Sequence, residues 1–93
     1  MQDKITKEKL KKYFKISETA LDEIKKNIIN GKESEAKEII CMTENYISDA
    51  HHFEETRDFV NAFAALNYAH GWIDSGVRLK IFDVKNNKLF TVC

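Results

Sequence analysis

The chain has 93 residues, 43% of them hydrophobic, which is enough for one small core and too few for two. Fifteen basic and fifteen acidic residues cancel, so no global field draws the protein to nucleic acid or to an anionic membrane. A 32% charged fraction without a single proline suits a helical bundle, and the two cysteines, Cys41 and Cys93, lack metal-ligand spacing and are too few for a secreted disulfide framework.

The lysine-rich start lacks the apolar core of a signal peptide, and no apolar run approaches the roughly 18 residues of a membrane span. A cytoplasmic, reducing setting without a membrane partner is therefore expected. The charge is unevenly placed. Met1 to Lys15 carries six lysines against Asp3 and Glu8, whereas Lys32 to Asp58 carries eight acids against Lys32, Lys37 and Arg57. The two segments are expected to complement each other within the fold or between subunits. The other reading is a basic arm, Lys4, Lys7, Lys9, Lys11, Lys12 and Lys15, that grips phosphates.

From Lys4 to Asn30, Leu10, Phe14, Leu21, Ile24 and Ile28 share one heptad frame, with Ser17 in the remaining position. This predicts a helix over about 4–30 with one buried face. Thr6 is its expected N-cap, and a second helix starting at Ser17 is the less favoured alternative. Asn30-Gly31 supplies the left-handed residue that ends helices.

Ser34 is the expected N-cap of a second helix over 35–55, whose inner face holds Ala36, Ile39, Ile40, Thr43, Tyr46, Ile47, Ala50 and Phe53. Asp58 caps a third helix over 59–82, with Ala62, Ala65, Leu66, Ala69, Ile73, Gly76 and Val77 on one face. Short links make neighbouring helices antiparallel. Gly71 and Gly76 each cost up to about 1 kcal/mol relative to alanine inside a helix, so each needs a packing or functional reason. Residues 83–93 read as an extended or hairpin tail around Asn86-Asn87.

Within the third helix, His70, Asp74 and Arg78 are spaced i, i+4, i+8, with Asn67 nearby. Three readings are open: a salt-bridge ladder at the edge of the core, a recognition surface built with Tyr68 and Trp72, or a catalytic His-Asp pair that lacks a nucleophile. The densest set of metal-ligand residue types is Asp49, His51, His52, Glu54, Glu55 and Asp58. Measured from the Thr56-Arg57 turn, His52 lies about 8 Å and His70 about 18 Å along the bundle axis, too far apart to share an ion. Asp49 and His52 alone could supply two ligands; no metal or other cofactor is expected. Cys41 reads as a small buried hydrophobe, and Phe53, Phe59, Phe63 and Trp72 as core.

The runs Tyr46-Ile47-Ser48-Asp49-Ala50, Asp58-Phe59-Val60-Asn61-Ala62 and Tyr68-Ala69-His70-Gly71-Trp72-Ile73-Asp74-Ser75-Gly76-Val77-Arg78, together with Leu89-Phe90-Thr91-Val92, resemble an archaeal family known as domain of unknown function 357. The resemblance covers nearly the whole chain. It implies an all-α, antiparallel three-helix bundle of the spectrin-like or albumin-binding-module-like sort, in an archaeal cytoplasm, with no stated activity. Similar domains joined to nucleotidyltransferase-like domains imply an accessory role. The Glu55-Thr56-Arg57-Asp58 turn departs from the family pattern, which has a glycine before the aspartate.

The function expected from these readings is a non-enzymatic module that binds a protein partner, or a second copy of itself, through Asn67, Tyr68, His70, Trp72, Asp74 and Arg78. The alternatives are an accessory component of a nucleotide- or metal-dependent enzyme, and nucleic-acid binding through the basic first helix.

Overall fold

The structure is a computed structural model that describes residues 6–84. It contains three helices, α1 (Lys7–Lys25), α2 (Glu33–Glu55) and α3 (Phe59–Arg78), and no strand among the described residues. They form the expected all-α three-helix bundle. The tail expected over 83–93 lies, from residue 85 onward, outside the described residues.

Helix α1 starts where Thr6 offers its hydroxyl oxygen to the amide of Lys9 at 3.0 Å, satisfying one of the orphan donors of the first turn. Ser17 does not restart it; the helix runs through, burying Leu10, Phe14, Ser17, Ala20, Leu21 and Ile24. It stops at Lys25 rather than Asn30, and α3 stops at Arg78 rather than Phe82. The two early stops have one cause. Ile28 faces Phe82 in an isolated antiparallel bridge, flanked by Ile29 N–H to Ile81 C=O at 2.9 Å and Asp83 N–H to Asn27 C=O at 2.8 Å. Pairing at this end of the bundle satisfies backbone groups that helical continuation would otherwise have used.

Gly31, at φ +91°, serves the next turn, closed by Lys32 N–H to Ile29 C=O at 2.9 Å, instead of ending α1. Helix α2 then begins at Glu33 without a side-chain cap, so Ser34 is inside the helix and not its N-cap. The Glu33 carboxylate instead reaches back to the Gly31 amide at 3.1 and 3.2 Å. Its charge sits favourably at the positive end of the helix dipole.

Both later helix ends close in the same way. After α2, Asp58 N–H donates to Phe53 C=O at 2.8 Å and Arg57 N–H to Glu54 C=O at 3.0 Å, with Arg57 at φ +62°. After α3, Ile81 N–H donates to Gly76 C=O at 2.9 Å and Lys80 N–H to Val77 C=O at 3.2 Å, with Lys80 at φ +62°. This bonding pattern needs one left-handed residue, usually glycine. Arginine and lysine hold the position here. Asp58 then caps α3 as expected, accepting from the amide of Asn61 at 3.2 Å and from its side chain at 2.6 Å.

The closest packing is between α2 and α3, with α1 laid against the pair. Ala36, Ile39, Thr43, Ile47 and Ala50 of α2 meet Ala62, Ala65, Leu66, Ala69, Ile73, Gly76 and Val77 of α3 in the shared core. Small side chains on both helices let the backbones approach. Thr43, fully buried, returns its hydroxyl to the Ile39 carbonyl at 2.8 Å, so no polar group is stranded there.

The end of the bundle explains Gly76. A Cβ there would lie 2.5 and 2.8 Å from the Phe82 ring and 3.0 Å from Ile39 Cδ1. The chain after α3 therefore folds back and seats Phe82, 2% exposed, directly on the helix backbone.

Between α1 and α2, Lys25 forms an ion pair with Glu44 at 2.8 Å, and the His51 ring nitrogen Nε2 lies 3.1 Å from the Glu18 carboxylate. The complementarity expected of the lysine-rich start does not form within the described residues. Lys9 stands over the Phe63 ring at 5.6 Å, and no lysine from Lys7 to Lys15 joins an ion pair among them. No helix is long and apolar enough to cross a membrane among the described residues.

Candidate recognition face on the third helix

From Phe59 to Ile73, α3 contains no Asp, Glu, Lys or Arg, in a chain that is 32% charged. One side of the helix needs none, because it is core. The outward side carries none either, and it presents Val60 (62% exposed) and Tyr68 (64%), with Leu79 (69%) just past the helix end. These are the exposed large hydrophobics among the described residues.

Helical register divides the six residues singled out in the sequence between two flanks. Toward α2, Tyr68 stacks on Tyr46 with centroids 5.5 Å apart and planes at 25°. Trp72, one turn on, is partly buried against the core. Toward α1, His70 Nε2 lies 3.7 Å from Asp74 Oδ2, with 31% and 20% of the two side chains exposed. Asn67 is exposed between the flanks. Arg78 is exposed in the last turn, where a cation complements the helix dipole. The structure thus forms the His70–Asp74 rung but places the aromatic pair on the other flank.

Gly71 lies between the flanks. A Cβ there would meet nothing within 4 Å among the described residues, and the residue is exposed. Together with Asn67, Tyr68, Trp72 and Ser75 it lines an open depression of about 350 Å³. A second, more enclosed space of about 200 Å³ opens on the α1 flank, lined by Tyr13, Ile16, Ser17, Leu66, Asn67 and His70.

The other candidate residues lie elsewhere. Asp49 and His52 are exposed on α2, and no group of three or more His, Cys, Asp or Glu among the described residues is placed to hold a metal ion. Cys41 is exposed rather than buried. Its neighbours in sequence are apolar, but the buried register of α2 runs through Ile39, Thr43 and Ile47 and passes it by. The His51 junction, where the ring stacks on Phe14 at 4.2 Å and reaches Glu18, had no signal in the sequence because its partners come from another helix.

The profile of a family described as proteins of unknown function, DUF357, matches residues 12–82. The chain belongs to the DUF357 family. No match was found among curated proteins or among solved structures. The matched span of this DUF357 protein includes all of α2 and α3 and ends on Phe82, so both flanks of α3 and the closing bridge fall inside it.

Proposed function

We propose that this DUF357 protein is a non-enzymatic helical interaction module, and that the outward face of α3 receives an uncharged face of a partner helix. The observation that supports this reading is Gly71. Inside a helix glycine costs about 1 kcal/mol relative to alanine, and nothing among the described residues lies where a Cβ at this position would strike it. Residues 6–84 supply no folding reason for it, while a partner backbone arriving over Gly71 would supply one.

The chemistry of the partner follows from what surrounds the glycine. A face with no formal charge from Phe59 to Ile73 offers nothing to pair with an acidic or basic surface, and burying a partner's charge against it would be penalised. Tyr68 and Trp72 are the residue types that most often dominate interface energetics. Val60, Tyr68 and Leu79 supply apolar area at either side of the depression.

The test uses wild-type protein and Gly71→Arg immobilised side by side on a lysate of the source organism, with equal helicity confirmed first. A protein held by wild type and lost by the variant is expected, and a peptide of its contact helix should protect amides 67–75 from exchange. Identical retention by both baits would contradict the placement.

A further inference from the structure

We infer that the space between α1 and α3 is a binding site for an uncharged, planar heterocycle of nucleobase size. It shares only Asn67 with the depression on the outward face and stands on different observations. The first is Ser17, which is 2% exposed and has no hydrogen-bond partner among the described residues. No side-chain polar atom there is both sealed from solvent and unpartnered, so the Ser17 hydroxyl keeps its remaining access through the space it lines. A buried hydroxyl ordinarily finds a partner, and nothing on α1 or α3 provides one.

The second observation is size. About 200 Å³ is room for about six waters, far more than the single structural water that would satisfy one hydroxyl. It is below the volumes that hold drug-sized ligands, which leaves a compact molecule.

The third is the lining. Ile16 and Leu66 are apolar walls, and Tyr13 is an aromatic one, its ring held edge-on to Phe63 at 4.8 Å and 89°. Ser17, Asn67 and His70 are the polar members, and His70 is backed by Asp74 at 3.7 Å. Among the described residues no Lys, Arg, Asp or Glu lines the space, so a charged group would go unmatched by them. The Asn67 amide presents donor and acceptor side by side, the pattern that pairs with the edge of a base such as adenine. Apolar walls, one aromatic ring and one such edge favour a heterocycle over a sugar.

Amide spectra of the folded chain, titrated with adenosine and separately with ribose, test the assignment. Saturable shifts at Tyr13, Ser17, Leu66, Asn67 and His70 are expected with adenosine and none with ribose. Asn67→Ala, at an exposed position, should weaken binding about tenfold, the loss of one hydrogen bond. Ser17→Ala should weaken it similarly while raising the melting temperature of the free protein. Absent or scattered shifts, equal shifts with ribose, or unchanged affinity in both variants would overturn it.

Discussion

Gly71 and Gly76 lie in the same helix, little more than one turn apart, and the structure gives them opposite surroundings. At Gly76 an added methyl would meet the Phe82 ring at 2.5 Å; at Gly71 it would meet nothing among the described residues. One glycine is a packing requirement written by the residue that folds back onto it. The other carries the same propensity penalty with no return inside the fold. The same contrast extends along α3 from Phe59 to Ile73, where the inner face is closed core and the outer face, equally without Asp, Glu, Lys or Arg, is exposed.

The inner face should respond most strongly. Ile73, fully buried, is expected to lose about 2–5 kcal/mol on truncation to alanine, whereas Tyr68→Ala, at a residue 64% exposed, should stay within about 1 kcal/mol because only part of one ring stack is lost. Urea unfolding of the two variants measures both. A Tyr68 effect matching that of Ile73 would dissolve the distinction between the faces.

Gly76→Ala comes next, with an expected destabilisation of about 1–3 kcal/mol from overpacking despite alanine's better helix propensity. Trimming the ring that collides should recover part of it. In a double-mutant cycle Gly76→Ala with Phe82→Leu should be less damaging than the sum of the single changes, and strict additivity would deny the contact.

Smaller effects are expected at the two helix ends closed by non-glycine residues. Arg57→Gly and Lys80→Gly relieve left-handed backbone at φ +62° and should each stabilise the protein by about 0.5–1 kcal/mol, read as a raised urea midpoint. The loss of the Arg57 contact with the Phe59 ring, 5.9 Å away and exposed, offsets little of this. Ser17→Ala should also stabilise the free protein by about 0.5 kcal/mol, through helix propensity at a position 2% exposed.

The bundle was legible in the sequence because its core is periodic. Every inward position expected on α3 is buried, and Ser17 falls into the α1 seam as the heptad frame required. The helix ends were less legible. Nothing local in residues 26–30 or 79–82 announces that they will leave their helices to pair with each other, since that pairing joins segments far apart in the chain. Ser34 looked like a cap by residue type, but Glu33 reaches the turn first. The candidate site was legible as a list of residues and not as a surface. Spacing places His70 beside Asp74 and sets Tyr68 and Trp72 on another flank, yet only the packing of α1 and α2 shows what each flank faces, and that Ser17 and His70 line one space.

The most direct test of the contrast between the two faces is the urea stability of Gly71→Ala and Gly76→Ala, measured together against wild type. Gly71→Ala should raise stability by about 0.5–1 kcal/mol, as propensity alone dictates where no neighbour interferes, while Gly76→Ala should lower it. Destabilisation by Gly71→Ala comparable to that of Gly76→Ala would show that Gly71 serves the fold, and would remove the reason for reading the outer face of α3 as a surface kept for a partner.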